Sequence, residues 1–123
     1  MTFPQDDAVL INPPQNITMS FRVDVRLLKL ALYTDDGQWI DIGFRYEPER
    51  FTTGFVYPLG DLPMATYYVT RWAVADENGR LLSGEFRFAF GAGAIPPSET
   101  IAAQISDEEE VLPDTGSYRR TDL

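Results

Sequence analysis

Hydrophobic and polar residues alternate with a period of two over most of the chain, the period of half-buried strands. Ile17, Met19, Phe21 and Val23 alternate with Thr18, Ser20 and Arg22. Asn12-Pro13-Pro14-Gln15-Asn16 predicts a turn ahead of this run. Leu28, Leu30 and Leu32 alternate with Lys29 and Ala31, and Tyr33 leads into Thr34-Asp35-Asp36-Gly37. Asp-Gly ahead of Trp39-Ile40 predicts a hairpin, because glycine supplies the positive φ that a tight reversal needs. Thr53, Phe55, Tyr57 and Leu59 form the next alternating run, and Leu59-Gly60-Asp61-Leu62-Pro63 reads as a loop. Tyr68, Thr70, Trp72 and Val74 alternate up to Asp76-Glu77-Asn78-Gly79, a second turn signal. Phe86, Phe88 and Phe90 alternate with Glu85, Arg87 and Ala89, which puts three aromatic rings on one face.

About seven short strands separated by Gly, Pro, Asn and Asp predict an all-β fold, a Greek-key, immunoglobulin-like β-sandwich or barrel. No helical periodicity and no internal repeat stand out before residue 96. The expected division is a β-sandwich domain over residues 1–95 and an acidic tail over residues 96–123. The tail holds seven acidic residues and two basic ones, so it carries five of the nine net negative charges. That charge and its low hydrophobicity predict disorder. Within it, Ser98 can cap a short helix reaching Ile105, which Ala102-Ala103 favours.

The chain length of 123 residues fits one domain, and a hydrophobic fraction of 44% can fill its core. The net charge of −9 argues against nucleic acid and against an anionic membrane surface, since both need clustered Lys and Arg. Lys29 is the single lysine, and the arginines are scattered. No apolar run approaches the roughly 20 residues that cross a bilayer as a helix, so no membrane insertion is expected. No secretory leader stands at the start, where Met1 runs into polar Gln5, Asp6 and Asp7. The chain is expected to be either cytoplasmic or a mature domain. The sequence has neither Cys nor His. Disulfides, thiolate sites, His-ligated metals and a Ser–His–Asp triad are therefore excluded. No Gly-x-Ser-x-Gly motif is present, and no enzymatic activity is expected.

The order of motifs from Pro13 to Phe90 resembles the periplasmic copper-resistance protein C (CopC) family. The residues that carry the likeness are Leu62, Pro63, Trp72, Gly79, Ser83, Gly84, Phe88 and Phe90. Pro4 with Ala8 echoes an early family segment. The resemblance implies a periplasmic β-sandwich concerned with copper. It also implies a copper(II) site built from an N-terminal histidine and from the Asp and His of an Asp-Gly-His motif. Carried onto this chain, that Asp falls on Asn78 and that His on Arg80, and the N-terminal histidine has no counterpart. An amide is a weaker ligand than a carboxylate, and a guanidinium cannot bind a cation. Some relatives hold copper(I) with methionines. Met64, in the Leu-Pro loop, is the one candidate here, and a single thioether does not make a site; Met19 belongs to an apolar strand face. No cofactor is expected.

Other constellations add little. Asp35-Asp36-Gly37 lacks the spaced oxygen ligands and closing Glu of a calcium loop, so it reads as a hairpin. Asp6-Asp7 and Asp76-Glu77 read as solvated turn residues. Tyr67 and Tyr68 must point to opposite faces, so one is expected outward, where it forms a candidate partner patch with Arg71 and Arg45. The acidic run 107–110 is a second place a basic partner could meet. Two functional readings follow. One is a CopC-like periplasmic domain that has lost the copper(II) site and acts through surface contacts with another protein. The other is an immunoglobulin-like interaction module unrelated to copper.

Overall fold

The computed structural model describes residues 1–111, with side chains through residue 105. Seven strands run in the order β1 (Thr2–Phe3), β2 (Ala8–Leu10), β3 (Asn16–Thr34), β4 (Trp39–Ile40), β5 (Thr52–Pro58), β6 (Tyr68–Asp76) and β7 (Leu81–Phe90), followed by one helix, α1 (Pro97–Val111). All seven strands belong to one curled sheet. Its main path is β1-β3-β6-β7-β2, and β4 and β5 pair with β3 off that path. The all-β expectation holds.

β3 organises the sheet. Its first half pairs with β1 and β5, and its second half with β6 and β4. The sequence pattern suggested two strands here, ending near Val23 and starting near Leu28. The chain instead continues as one strand with two irregularities, between Ser20 and Val25 against β5 and between Leu27 and Lys29 against β6. A bulge adds an unpaired residue and reverses the inward–outward phase. Ile17, Met19, Val25 and Leu27 are therefore buried at odd positions, and Leu30 and Leu32 at even ones.

The main core gathers those six residues with Phe55, Tyr68, Val74, Phe86 and Phe88. Tyr68 stacks on Phe88 with centroids 5.5 Å apart and on Phe90 at 5.7 Å. Phe21 meets Trp72 edge-on at 5.6 Å, which closes the core toward β5. Both Asp-Gly and Asn-Gly turns form as the sequence implies, with Gly37 at φ 91° and Gly79 at φ 81°.

The tail, expected to be disordered apart from a short helix from Ser98 to Ile105, forms α1 over Pro97–Val111. Ser98 does sit in its first turn, but the cap comes from elsewhere. The Asp7 carboxylate accepts the Ser98 N–H at 2.8 Å and the Ser98 hydroxyl at 2.7 Å. Ile101 then packs on a second cluster of Tyr67, Val69, Ala89 and Ala94, on the outer face of the sheet. Residues 112–123 lie outside the described residues, as do the side chains of the 107–110 acidic run.

Candidate functional site at the β6–β7 end of the sheet

The turn between β6 and β7 is built by one carboxylate. Asp76 Oδ1 accepts the N–H of Asn78 at 2.9 Å and the N–H of Arg80 at 2.9 Å. Backbone bonds complete the reversal, from the Gly79 N–H to the Asp76 carbonyl at 3.0 Å and from the Asp76 N–H to the Arg80 carbonyl at 3.0 Å. Asn78 and Arg80 are both exposed on this turn.

The N-terminal segment comes to the same end. The backbone nitrogen of Met1 donates to the Ser20 carbonyl at 2.9 Å, and the Ser20 N–H donates to the Met1 carbonyl at 2.8 Å. Between these elements lies a cavity of about 760 Å³ lined by Met1, Phe21, Arg22, Val23, Asp76, Arg80, Leu81 and Leu82, among others. An N-terminal residue and the turn after β6 thus share one opening, as the family resemblance implies for its copper(II) site.

The residues present do not fit that metal. Arg80 brings a permanent cation to the opening, Asn78 offers a neutral amide, and Asp76 Oδ1 is taken up by two backbone donors. Among the described residues no three His, Cys, Asp or Glu side chains come together in a group able to hold a metal ion. Met64 is 94% exposed on the loop before β6, Met19 is buried in the core, and Met1 lies beside Ser20 on β3. The methionines are not gathered into one site.

The expected partner patch needs one correction. Tyr67 and Tyr68 do alternate, and Tyr68 is the inward one. Tyr67 nevertheless is buried, because Ala94 and Ile101 of the C-terminal segment cover the outer face there. Ala94 and Ile101 lie outside β6, so the pattern of β6 alone could not reveal that cover. Arg71 is exposed on the same face, in an ion pair with Glu85 at 3.3 Å and over the Tyr33 ring at 5.5 Å. Arg45 belongs to a different region, beside Glu47, Arg50 and Tyr57. These three residues do not form one surface.

Sequence reasoning missed the exposed apolar residues around the cavity. Val23 is 58% exposed, Leu81 71% and Leu82 56%. The signal was present in Leu81-Leu82, two adjacent leucines that cannot both face one core in a strand.

A small curled β-sheet domain, with its N-terminal segment and its β6–β7 turn meeting at one end, is the class this geometry defines. The CopC domain model matches residues 1–91, and the chain belongs to the CopC family. The fold is similar to that of CopC from Methylosinus trichosporium OB3b, with a TM-score of 0.61 and 14% identity, covering 74% of this chain and 89% of that one. No curated protein matches the sequence. The CopC family is tied to copper resistance in the periplasm, binds copper, and is not known for enzymatic activity. Among the described residues no helix is long and apolar enough to cross a membrane.

Proposed function

We propose that this domain serves copper handling in the periplasm through contacts with another protein, and does not carry copper(II) at the turn its relatives use. The observation that carries the reading is Arg80, which lines the opening it shares with Met1 while Asp76 is committed to the turn. A fixed positive charge repels a divalent cation, and the site offers no compensating donor set. Family membership favours this copper-linked reading over an interaction module unrelated to copper.

The test is a metal titration of the full chain against a competing chelator, with copper(II) and then with copper(I) under a reductant. Neither ion is expected to be drawn from the chelator. Paramagnetic loss of the amide signals of Glu77 to Arg80 on adding one equivalent of copper(II) would overturn the reading. Tight copper(I) binding that disappears in Met64→Leu would overturn it as well.

A further inference from the structure

We infer that the Leu81–Glu85 edge of β7, together with the cleft beside it, is a docking site for an extended acidic and apolar segment of a partner protein. The inference rests on the proposed function and deepens it, by naming the surface and the chemistry of the partner.

The hydrogen-bond phase of β7 is the first observation. The Asp76 N–H donates to the Arg80 carbonyl at 3.0 Å, and the register continues as Val74 to Leu82 and Trp72 to Gly84. In an antiparallel pair the directly bonded positions alternate. Even-numbered residues of β7 thus turn their backbone groups toward β6, and odd-numbered ones turn theirs away. Arg87 obeys this: its carbonyl accepts the Asp7 N–H at 2.7 Å, and its N–H donates to the Asp6 carboxylate at 3.0 Å. β2, however, covers β7 only from Phe88 to Phe90. Among the described residues no strand lies against the outer side of Leu81, Ser83 and Glu85, so their N–H and C=O groups form an open ladder.

The second observation is what stands beside the ladder. Sheet edges are normally blunted by charge, proline or a bulge. This one instead presents Leu81 and Leu82 next to a cleft of about 760 Å³ that also exposes Met1 and Val23. A contiguous exposed apolar surface of this kind marks an interaction site.

Charge is the third observation and selects the occupant. Arg22 and Arg80 both line the cleft and both are exposed. The ion pairs among the described residues involve Arg50, Arg71 and Arg87, and neither of these two. Asp76 also lines the cleft, with its Oδ1 held by the turn, so the two guanidinium groups leave the cleft locally positive on a protein of net charge −9. An added strand would satisfy the open ladder, seat alternate apolar side chains in the cleft, and offer carboxylates to the arginines. A second copy meeting this one edge to edge would set the same arginines against these, and like charges oppose that pairing.

The test uses the full chain, labelled with nitrogen-15, and two capped hexapeptides, one alternating Glu with Val and one alternating Lys with Val. The Glu–Val peptide is expected to shift the amide signals of Leu81, Ser83 and Glu85. The Lys–Val peptide and the Arg80→Glu variant should each bind about tenfold more weakly. Ser83→Pro removes an outward donor without touching the β6 ladder, so it should keep the native spectrum and lose the peptide. Shifts confined to another surface, equal binding of both peptides, or a Ser83→Pro protein that is folded and binds unchanged would overturn the inference. Self-association through the same amides in sedimentation would also overturn it, in favour of a second copy. No peptide binding by a chain that also takes no copper would sink this inference and leave the proposed function standing.

Discussion

Gly84 sits directly opposite Trp72 in the β6–β7 register, and the indole lies across the space a side chain would fill. A Cβ added at Gly84 would stand 2.7 Å from Trp72 Cζ2, 3.0 Å from Cε2 and 3.3 Å from Nε1. Carbon atoms in contact settle about 3.5–4.0 Å apart, so the ring must withdraw by about 1 Å in Gly84→Ala. It cannot do so freely, because Phe21 braces it edge-on at 5.6 Å. Overpacking of this kind costs about 1–3 kcal/mol. Against it, alanine restricts the unfolded chain and returns about 0.4–1 kcal/mol where the backbone angles suit it, as they do at this glycine. The difference centres on a net loss of about 1.3 kcal/mol, with the melting temperature lowered by about 4–8 °C. Urea unfolding followed by circular dichroism measures it, and a second background isolates the cause. In Trp72→Leu the obstructing ring is gone, so Gly84→Ala should be neutral or slightly stabilising there. An equal loss in both backgrounds, or none in the native one, would refute the close approach as the reason for glycine.

Three further outcomes follow from the same structure. Thr70 is fully buried and its hydroxyl has no hydrogen-bond partner, so Thr70→Val should raise stability by about 1 kcal/mol in urea unfolding; a loss of that size would show that the hydroxyl is satisfied after all. Burial, with a lesser push from Asp35, holds the Tyr68 hydroxyl above its ordinary pKa of 10.0. The unfolded chain therefore gives up this proton first, and stability that is complete below pH 10 is lost as pH climbs through the folded value; Tyr68→Phe, which also gives up the hydrogen bond to the Pro63 carbonyl, should flatten that decline in unfolding midpoints. Asp7 adopts φ 69°, which glycine tolerates, so Asp7→Gly isolates the lost carboxylate and should speed hydrogen exchange at Ser98 to Ile101 while Phe86 and Phe88 stay protected; unchanged exchange at Ser98 would deny Asp7 its role as the cap of α1.

The strands of this protein were readable wherever one uninterrupted face was buried. Phe86, Phe88 and Phe90 announced β7, and Tyr68 to Val74 announced β6, because each keeps one phase from end to end. β3 was legible in its residues and not in its length, since the bulge at Leu28 reverses the phase and makes one strand look like two. β2 left no trace, because three residues, Ala8, Val9 and Leu10, are too few to alternate visibly, and their parallel partner lies at the far end of the chain. The turn carrying Asn78 and Arg80 followed from Asp-Glu-Asn-Gly. The burial of Tyr67 was out of reach, since it depends on a helix whose acidic composition speaks for solvent and whose cap, Asp7, comes from the opposite terminus. The unblunted edge at Leu81 escaped for the same reason: which side of a strand stays open is decided by where its neighbours stop.

The pairing of Ala8–Leu10 with Phe88–Phe90 also sets the order of assembly. As these strands emerge during synthesis, β2 appears ahead of β3 to β6, and its partner β7 is the last of the seven to appear. The β6–β7 hairpin can zip as soon as both its arms are out, but the N-terminal segment must wait for β7 to finish. The last piece to lock is thus the one that carries Asp6 and Asp7 to Arg87 and Ser98. A chain shortened before Phe88 would retain most of its hairpins and leave β2 without a strand to lie against.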